Sequence, residues 1–221
     1  VGRPKLEKFA AIAEMPNVYE KNPQHKGNWS KGHFENNQPI VLELACGKGD
    51  YAIGLAERFP DKNFIGVDIK GNRIYTGATR AAQKGLNNVA FVRSQIDHLE
   101  EFFAPDEISE IWITFPDPFL KTSKFRKRLS SMKFIPIYRK FLQKGGLVHL
   151  KTDSPVLYAF TKEVIEENKL ELLKDYPDVY AMGKQETELY GIQTYYELMH
   201  LADQRIIHYL CFRIDGQSEA L

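Results

Sequence analysis

Residues 40–59 read IVLELACGKGDYAIGLAERF. The apolar run Ile40–Leu44 predicts a short strand that ends in a glycine-containing turn. Asp50–Phe59 predicts a helix, with Asp50 placed where a carboxylate complements the positive end of the helix dipole. Strand, glycine turn and helix in that order open an α/β unit.

The same alternation continues outward from this stretch. NFIGVD (63–68) predicts a second strand, and NRIYTGATRAAQKG (72–85) a helix with Gly85 as its stop. NVAFVRS (88–94) and EIWITF (110–115) predict strands three and four, with a short helix at DHLEEFF (97–103) between them. Residues 131–146 read as helical in part, interrupted at Pro136 and stopped by Gly145 and Gly146. LVHLKTD (147–153) predicts the fifth strand, and residues 154–169 a helix with Ser154 as N-cap and Pro155 at its first position. LELLKDY (170–176) and RIIHYLCFRI (205–214) predict the last two strands, with a polar segment between them and no long crossover helix. Such a pair lies antiparallel at an edge. The predicted fold is α/β, a doubly wound, mostly parallel, seven-stranded sheet with an antiparallel edge strand. Residues 1–39 read as an N-terminal extension, partly flexible, with loop chemistry over residues 21–39; residues 40–221 read as one domain.

Composition sets bounds on function. A hydrophobic fraction of 43% in 221 residues is enough for a sizeable core. Cys46 and Cys211 are far apart and suggest neither a disulfide framework nor a metal site, so the expected compartment is the reducing cytoplasm and no metal is expected. No apolar run reaches the roughly 18 residues of a membrane span, and no signal-peptide pattern opens the chain. The net charge is only +1, yet from Phe119 to Thr152 there are ten Lys or Arg and no acid. Taking those ten from the 30 basic residues leaves 20 against 29 acidic. A near-neutral chain therefore carries one concentrated basic stretch, and local fields of that kind attract phosphates.

The turn after the first strand narrows the ligand. Gly47, Gly49 and Ala52 fit the relaxed dinucleotide pattern, and Asp68 lies 19 residues past Gly49. Read alone, this indicates NAD. Glu43, near the strand's carboxyl end, argues against a pyrophosphate and for a cofactor with a cationic amino-acid end. S-adenosylmethionine has an ammonium, a sulfonium and no phosphate. Asp68 is then placed to accept the ribose hydroxyls. Gln95, after the third strand, is a candidate for the adenine, with Asp97 the neighbouring alternative.

The fourth strand delivers FPDPFLKTSKFRKRLS (115–130) to the same crevice. Pro116 and Pro118 fix φ on either side of Asp117 and remove two donors, so the acid is preorganised. A Pro-Pro-aromatic in this position would suit a nucleobase amine that must lose a proton. Here a single proline, Pro118, precedes Phe119, so amine chemistry on RNA or DNA is the rival.

The motif Pro116-Asp117-Pro118-Phe119, then Lys121, then Arg126-Lys127-Arg128, resembles the PDPW-x-K-x(4)-[KR]-R-R signature of bacterial tRNA (guanine-N7-)-methyltransferases. Lys151-Thr152-Asp153 and Thr194-Tyr195-Tyr196-Glu197 match that family's KTD and T-x-[YF]-E elements in order. The resemblance spans about Ile40 to Ile214. It implies a Rossmann-like methyltransferase domain and transfer of a methyl group from S-adenosylmethionine to guanine N7 in tRNA, in the variable loop. It implies Glu43, Gly47, Gly49, Asp68, Gln95 and Asp117 for the donor, with Asp117 also catalytic. It implies Lys121, Asp153, Thr194, Tyr196 and Glu197 for the base and its surroundings, and Lys124, Arg126, Lys127 and Arg128 for the RNA backbone. Phe119 stands for the family's Trp, Ala45 for its first Gly, Asp68 for Glu, Gln95 for Asn or Asp, and Lys124 for His.

Plainer roles stand beside these. Asp153 is also placed to cap the next helix with Ser154, one of Tyr195 and Tyr196 reads as a core aromatic, and Lys127 and Arg128 can meet a neighbouring helix end. His149, in an apolar strand, reads as a core histidine. Lys5, Lys8 and the Trp29 region are candidates for further RNA contacts. An RNA-binding module without catalysis and a dehydrogenase remain as competing functions. The monomeric or dimeric state is open.

Overall fold

The computed structural model describes residues 5–20, 24–181 and 187–215. Among them, eight strands form one sheet: β1 (Val18–Glu20), β2 (Ile40–Leu44), β3 (Asn63–Asp68), β4 (Val89–Arg93), β5 (Ile108–Thr114), β6 (Leu142–Thr152), β7 (Glu171–Tyr176) and β8 (His208–Arg213). Their order is β1-β4-β3-β2-β5-β6-β8-β7. The β1-to-β6 pairings are parallel, and β8 runs antiparallel to both β6 and β7. The helices are α1 (Lys5–Ala11), α2 (Trp29–Gly32), α3 (Asp50–Arg58), α4 (Gly71–Gln83), α5 (Ile135–Tyr138), α6 (Pro155–Glu167), α7 (Thr187–Tyr190) and α8 (Tyr195–Ala202). No helix among the described residues is long and apolar enough to cross a membrane.

The expected mostly parallel sheet and its antiparallel edge pair are both present. The sheet has eight strands rather than seven because the N-terminal arm adds β1. Val18, Tyr19 and Glu20 pair with Phe91, Val92 and Arg93 of β4, and Arg93 forms an ion pair with Glu20. A three-residue strand is too short to show a period. Trp29 of the arm is 1% exposed, and its indole nitrogen donates to the carbonyl of Phe102 at 2.9 Å. It is a core residue and is not available to RNA. Lys8 lies over the Tyr75 ring, and the side chain of Lys5 is outside the described residues.

Two further differences concern helices. The stretch read as helical over 131–146 is helical in α5 alone, and β6 already starts at Leu142, which pairs with Ile108. The strand bulges at Gly145 (φ +75°) and resumes pairing at Leu147. Conversely, α7 and α8 arise in the segment read only as polar. The one fully buried side chain of α8 is the acid Glu197, while Leu198 and Met199 are exposed, so there is no apolar stripe to read.

Period-two alternation sends the strand side chains into two cores, one on each face of the sheet. Leu42, Val67, Ile113, Leu150 and Phe212 belong to one. Val41, Phe91, Trp112, Tyr209 and Cys211 belong to the other, and Glu43, His149 and Lys151 share their parity. The buried charges of the sheet therefore lie on the second face. His149 is a core histidine as read: it stacks on Trp112 at 4.1 Å, and its Nδ1 is 2.8 Å from the Tyr209 hydroxyl. The order reverses at β2, which has β3 on one side and β5 on the other. Loops leaving β2 and β5 diverge there and leave a crevice at the carboxyl ends.

Candidate active site

Glu43, the penultimate residue of β2, is 3% exposed. Its Oε2 accepts from the Ala52 amide at 2.8 Å, and its Oε1 accepts from the Thr114 hydroxyl at 2.9 Å. Burial raises its pKa to about 8; Asp50 and Asp68 push the same way, against these two hydrogen bonds. At the end of β3, Asp68 accepts from the Gly47 amide at 2.9 Å and the Lys70 amide at 2.7 Å. This ties the glycine turn to the adjacent strand.

Ala45, Gly47 and Gly49 have φ of +55°, +59° and +67°. Ala45 bears a Cβ in this left-handed region, at a cost of about 1–2 kcal/mol. The two glycines differ in what their missing Cβ would meet. Nothing lies within 4 Å at Gly47, which lines the crevice. At Gly49 a Cβ would fall 2.5 Å from the Phe91 ring. Gly66 and Gly77 also press on that ring, each with a Cβ position 2.9 Å away. Gly49, expected on the cofactor, therefore serves packing. We predict that Gly49→Ala destabilises the fold by roughly 2 kcal/mol, from overpacking and left-handed strain together. Gly47→Ala should cost only about 1 kcal/mol yet obstruct the crevice. Thermal melts paired with donor-binding titrations separate the two.

The loop after β5 is held from several sides. Phe115 and Phe119, flanking Pro116-Asp117-Pro118, both have positive φ, +46° and +42°. Such conformations persist only where surrounding structure over-determines them. The Phe115 amide donates to the carbonyl of Lys151 at 2.8 Å. The Phe119 amide donates to Asp117 Oδ1 at 3.0 Å. Arg128 reaches back from the basic run: its Nε donates to the carbonyl of Pro118 at 2.8 Å and Nη2 to that of Phe119 at 3.2 Å. Its guanidinium lies over Phe125 and Phe160, and the residue is 1% exposed. Arg128 was expected on the RNA backbone. It is instead the clamp that holds the Asp117 loop, and burial removes it from any RNA surface.

The two distal motifs meet through a buried ion pair. Lys151 and Glu197 side chains are both 0% exposed, and Lys151 Nζ lies 2.7 Å from Oε1 and 2.9 Å from Oε2 of Glu197. Nζ also donates to the carbonyl of Leu189 at 2.6 Å, and the Tyr180 hydroxyl donates to Glu197 Oε1 at 2.8 Å. Burial lowers the Lys151 pKa, and the Glu197 charge opposes that shift. Thr194 caps α8 by accepting from the Glu197 amide at 3.1 Å. Glu197, expected at the base, is thus committed to Lys151. Asp153 accepts from Arg205 at 2.8 Å, with His200 Nε2 at 3.5 Å, while Ser154 alone caps α6. Neither Tyr195 nor Tyr196 is a core aromatic; they are 63% and 49% exposed.

The crevice consists of two joined cavities. One, of about 220 Å³, is lined by Glu43, Gly47, Thr114, Thr194, Tyr195 and Tyr196, among others. The second, of about 450 Å³, is lined by Asp68, Gln95, Asp97, Asp117 and Phe119, among others. Both include Ala45, Arg73 and Phe115 in their walls. Of the two adenine candidates, Asp97 forms an ion pair with Lys133. Seven of the expected residues thus share one cleft: Glu43, Gly47, Asp68, Gln95, Asp117, Thr194 and Tyr196. Gly49, Lys121, Asp153, Glu197 and Arg128 do not line it.

A family model described as a putative methyltransferase matches residues 37–208. A tRNA (guanine-N(7)-)-methyltransferase of Porphyromonas gingivalis is 50% identical over 187 residues, which are 85% of this chain and 76% of that protein. One of the same description from Bacteroides fragilis is 46% identical over 99% of this chain and 89% of its own length. The chain belongs to this methyltransferase family. Among solved structures, the 16S rRNA methyltransferase KamB superposes with a TM-score of 0.63 at 14% identity, covering 85% of this chain and 92% of that one. An adenine-1408 N1-methyltransferase of Catenulisporales acidiphilia, solved with cosubstrate SAM, gives 0.60 at 14% identity, covering 89% and 93%. At such identities the likeness establishes the shared fold.

For a member of this family, the cleft suits S-adenosylmethionine on its own geometry. The direction of the absent Gly47 side chain is open, a buried carboxyl faces the smaller cavity, and a second acid stands at the end of β3. Sequence reading missed Thr114, Phe115 and Arg73 as parts of the wall. Thr114 was legible in principle, since it ends the strand that delivers the Asp117 loop. Lys121 precedes a 3-10 helix (Thr122–Lys127) that contains Lys124, Arg126 and Lys127; all four are exposed, and none forms an ion pair among the described residues.

Proposed function

We propose that this chain transfers the methyl group of S-adenosylmethionine to N7 of a guanine in tRNA, in the variable loop. The observation that carries this is the placement of Asp117, on a loop fixed by two prolines and Arg128, in the wall of the cavity that also includes Asp68 and Gln95. The names of the relatives support the tRNA substrate and the ring nitrogen. Bound S-adenosylmethionine supplies an electrophilic methyl on a sulfonium.

Guanine N7 has an in-plane lone pair and no proton, so the attack needs alignment rather than a strong base. The new N–C bond forms as the C–S bond breaks, and the bonding pair stays on sulfur. The base gains the positive charge. One oxygen of Asp117 accepts from the Phe119 amide, and the other is left to accept from the N1–H or N2–H edge, which becomes more acidic as N7 is methylated. Glu43 holds the donor's ammonium and Asp68 its ribose hydroxyls, with Gln95 at the adenine. Thr194 and Tyr196 flank the base, which must leave its stack to enter. Lys121 anchors the neighbouring phosphate, and Asp153 holds α8 through His200 and the turn that follows it through Arg205.

Labelled donor and unmodified tRNA, followed by nucleoside identification, test the reaction. 7-Methylguanosine is expected, and N6-methyladenosine would overturn the reading in favour of amine chemistry. Asp117→Ala should lower kcat by roughly 100-fold or more with tRNA affinity nearly unchanged. Replacing Lys124, Arg126 and Lys127 together by Gln should weaken tRNA binding and reduce the slope of log K against log salt by about 2. Filter binding at several salt concentrations reads this out, and an unchanged slope would remove the basic run from the interface. Arg128→Gln should act differently, by loosening the Asp117 loop.

A further inference from the structure

We infer that Arg73 recognises the carboxylate at the amino-acid end of the methyl donor. The inference rests on the donor reading above and deepens it. S-adenosylmethionine presents an ammonium, a carboxylate, a sulfonium, a ribose diol and an adenine. Glu43, Asp68 and Gln95 address the ammonium, the diol and the adenine. The carboxylate is an anion, and none of these residues suits it.

Three cations line the cleft: Lys48 in the smaller cavity, Lys70 in the larger and Arg73 in both. Arg73 is the one charged residue in the walls of both cavities, so it stands where the amino-acid and adenosine ends would meet. Lys48 and Lys70 are exposed, whereas Arg73 is half-buried. Among the described residues, its guanidinium makes no hydrogen bond or ion pair. Two nearby acids of the same walls are already matched, Asp50 by Arg80 and Asp97 by Lys133. A guanidinium presents five donors in a rigid fork that fits a carboxylate in bidentate fashion.

Its position on the helix points the same way. Arg73 is the third residue of α4, whose first turn has no acid and whose N-cap Lys70 makes no side-chain capping bond. A cation in the first turn opposes the helix dipole, which favours negative charge there. Local stability of α4 thus gives no reason for Arg73. An anion held against that turn satisfies both the dipole and the guanidinium. The cleft then reads the two charges of the amino-acid end separately, with Glu43 for the ammonium and Arg73 for the carboxylate.

The test compares two ligands with the same adenosine and sulfur. S-adenosylhomocysteine has the amino-acid end, and 5′-methylthioadenosine lacks it. Calorimetric titration of the full chain with each is run on wild type, Arg73→Gln, Arg73→Lys and Lys48→Gln. Arg73→Gln should weaken S-adenosylhomocysteine roughly 10- to 100-fold, the scale of a charge-assisted pair. It should leave 5′-methylthioadenosine within about twofold. Arg73→Lys should recover part of the loss, and Lys48→Gln should show little. Equal weakening of both ligands, or none, would overturn the inference. So would a loss confined to tRNA binding, which would assign Arg73 to a phosphate. A wild-type protein that binds neither ligand would overturn the donor reading first, and this one with it.

Discussion

Lys151→Met should lower the melting temperature by roughly 10 °C and abolish tRNA methylation. Removing the ammonium leaves Glu197 as an uncompensated charge in a site that is 0% exposed. Breaking a buried pair in this way costs about 3–5 kcal/mol. In a chain of 221 residues each kcal/mol shifts Tm by about 2–4 °C. Lys151 also accepts the Phe115 amide on its own carbonyl and donates to Leu189, so one residue ties the Asp117 loop, α7 and α8 together. The double variant Lys151→Met, Glu197→Gln removes both charges and keeps an acceptor for Tyr180. It should regain most of the lost stability, as matched removal of a buried pair often does. It should not regain methylation, because the Thr194–Tyr196 wall depends on α8. Calorimetric melts of both singles and the double, with donor and tRNA affinities, form the cycle. A fully active double variant would show that the pair does not position the wall.

Glu43→Gln should weaken S-adenosylhomocysteine binding roughly 100-fold while stabilising the unliganded protein at alkaline pH. The side chain fits: Oε1 of Gln accepts from Ala52, and Nε2 donates to the Thr114 hydroxyl. The pH sign follows from the raised pKa. Burial pushes the Glu43 carboxyl up to about 8, against 4.5 for a free glutamate side chain, so the folded state holds its proton longer. Its contribution to stability is fully present below about pH 4.5 and is lost as pH rises through 8. The loss is at most about 1.4 kcal/mol per pH unit across that window. Gln does not titrate, so the stability gap between variant and wild type widens from pH 5 to pH 8 and then levels. Donor binding has the opposite demand, since the ammonium prefers the ionised carboxylate. Wild-type affinity for S-adenosylhomocysteine should therefore rise from pH 6 to pH 8 with proton release. Titrations in buffers of different ionisation enthalpy measure that release. A pH-independent affinity would mean that Glu43 does not meet the ammonium.

These two residues show why the site was only partly legible. Glu43, Asp68 and Asp117 could be read because each stands at the carboxyl end of a strand beside glycine or proline, where spacing alone indicates exposure to the crevice. Glu197 and Arg128 could not. Each is a charged residue inside a recognisable motif, and a motif does not say which way a side chain turns. Arg128 follows Arg126 and Lys127, which are exposed, and the 3-10 helix carries it inward onto two carbonyls and two aromatic rings. Gly49 follows the same rule: its spacing matches a ligand-binding glycine, and only the position of Phe91 reveals it as a packing one.

The alternation of strands and helices, the antiparallel edge pair and the concentration of basic charge were determined by the sequence alone. They depend on periodicity, chain order and charge, all of which are local or additive along the chain. Three things were decided only by the tertiary structure: the eighth strand, the pairing of Lys151 with Glu197 across 46 residues, and the inward turn of Arg128. Each depends on which groups a folded interior leaves without water. A buried charge must find its partner wherever the fold places one, and that distance is not written in the order of residues.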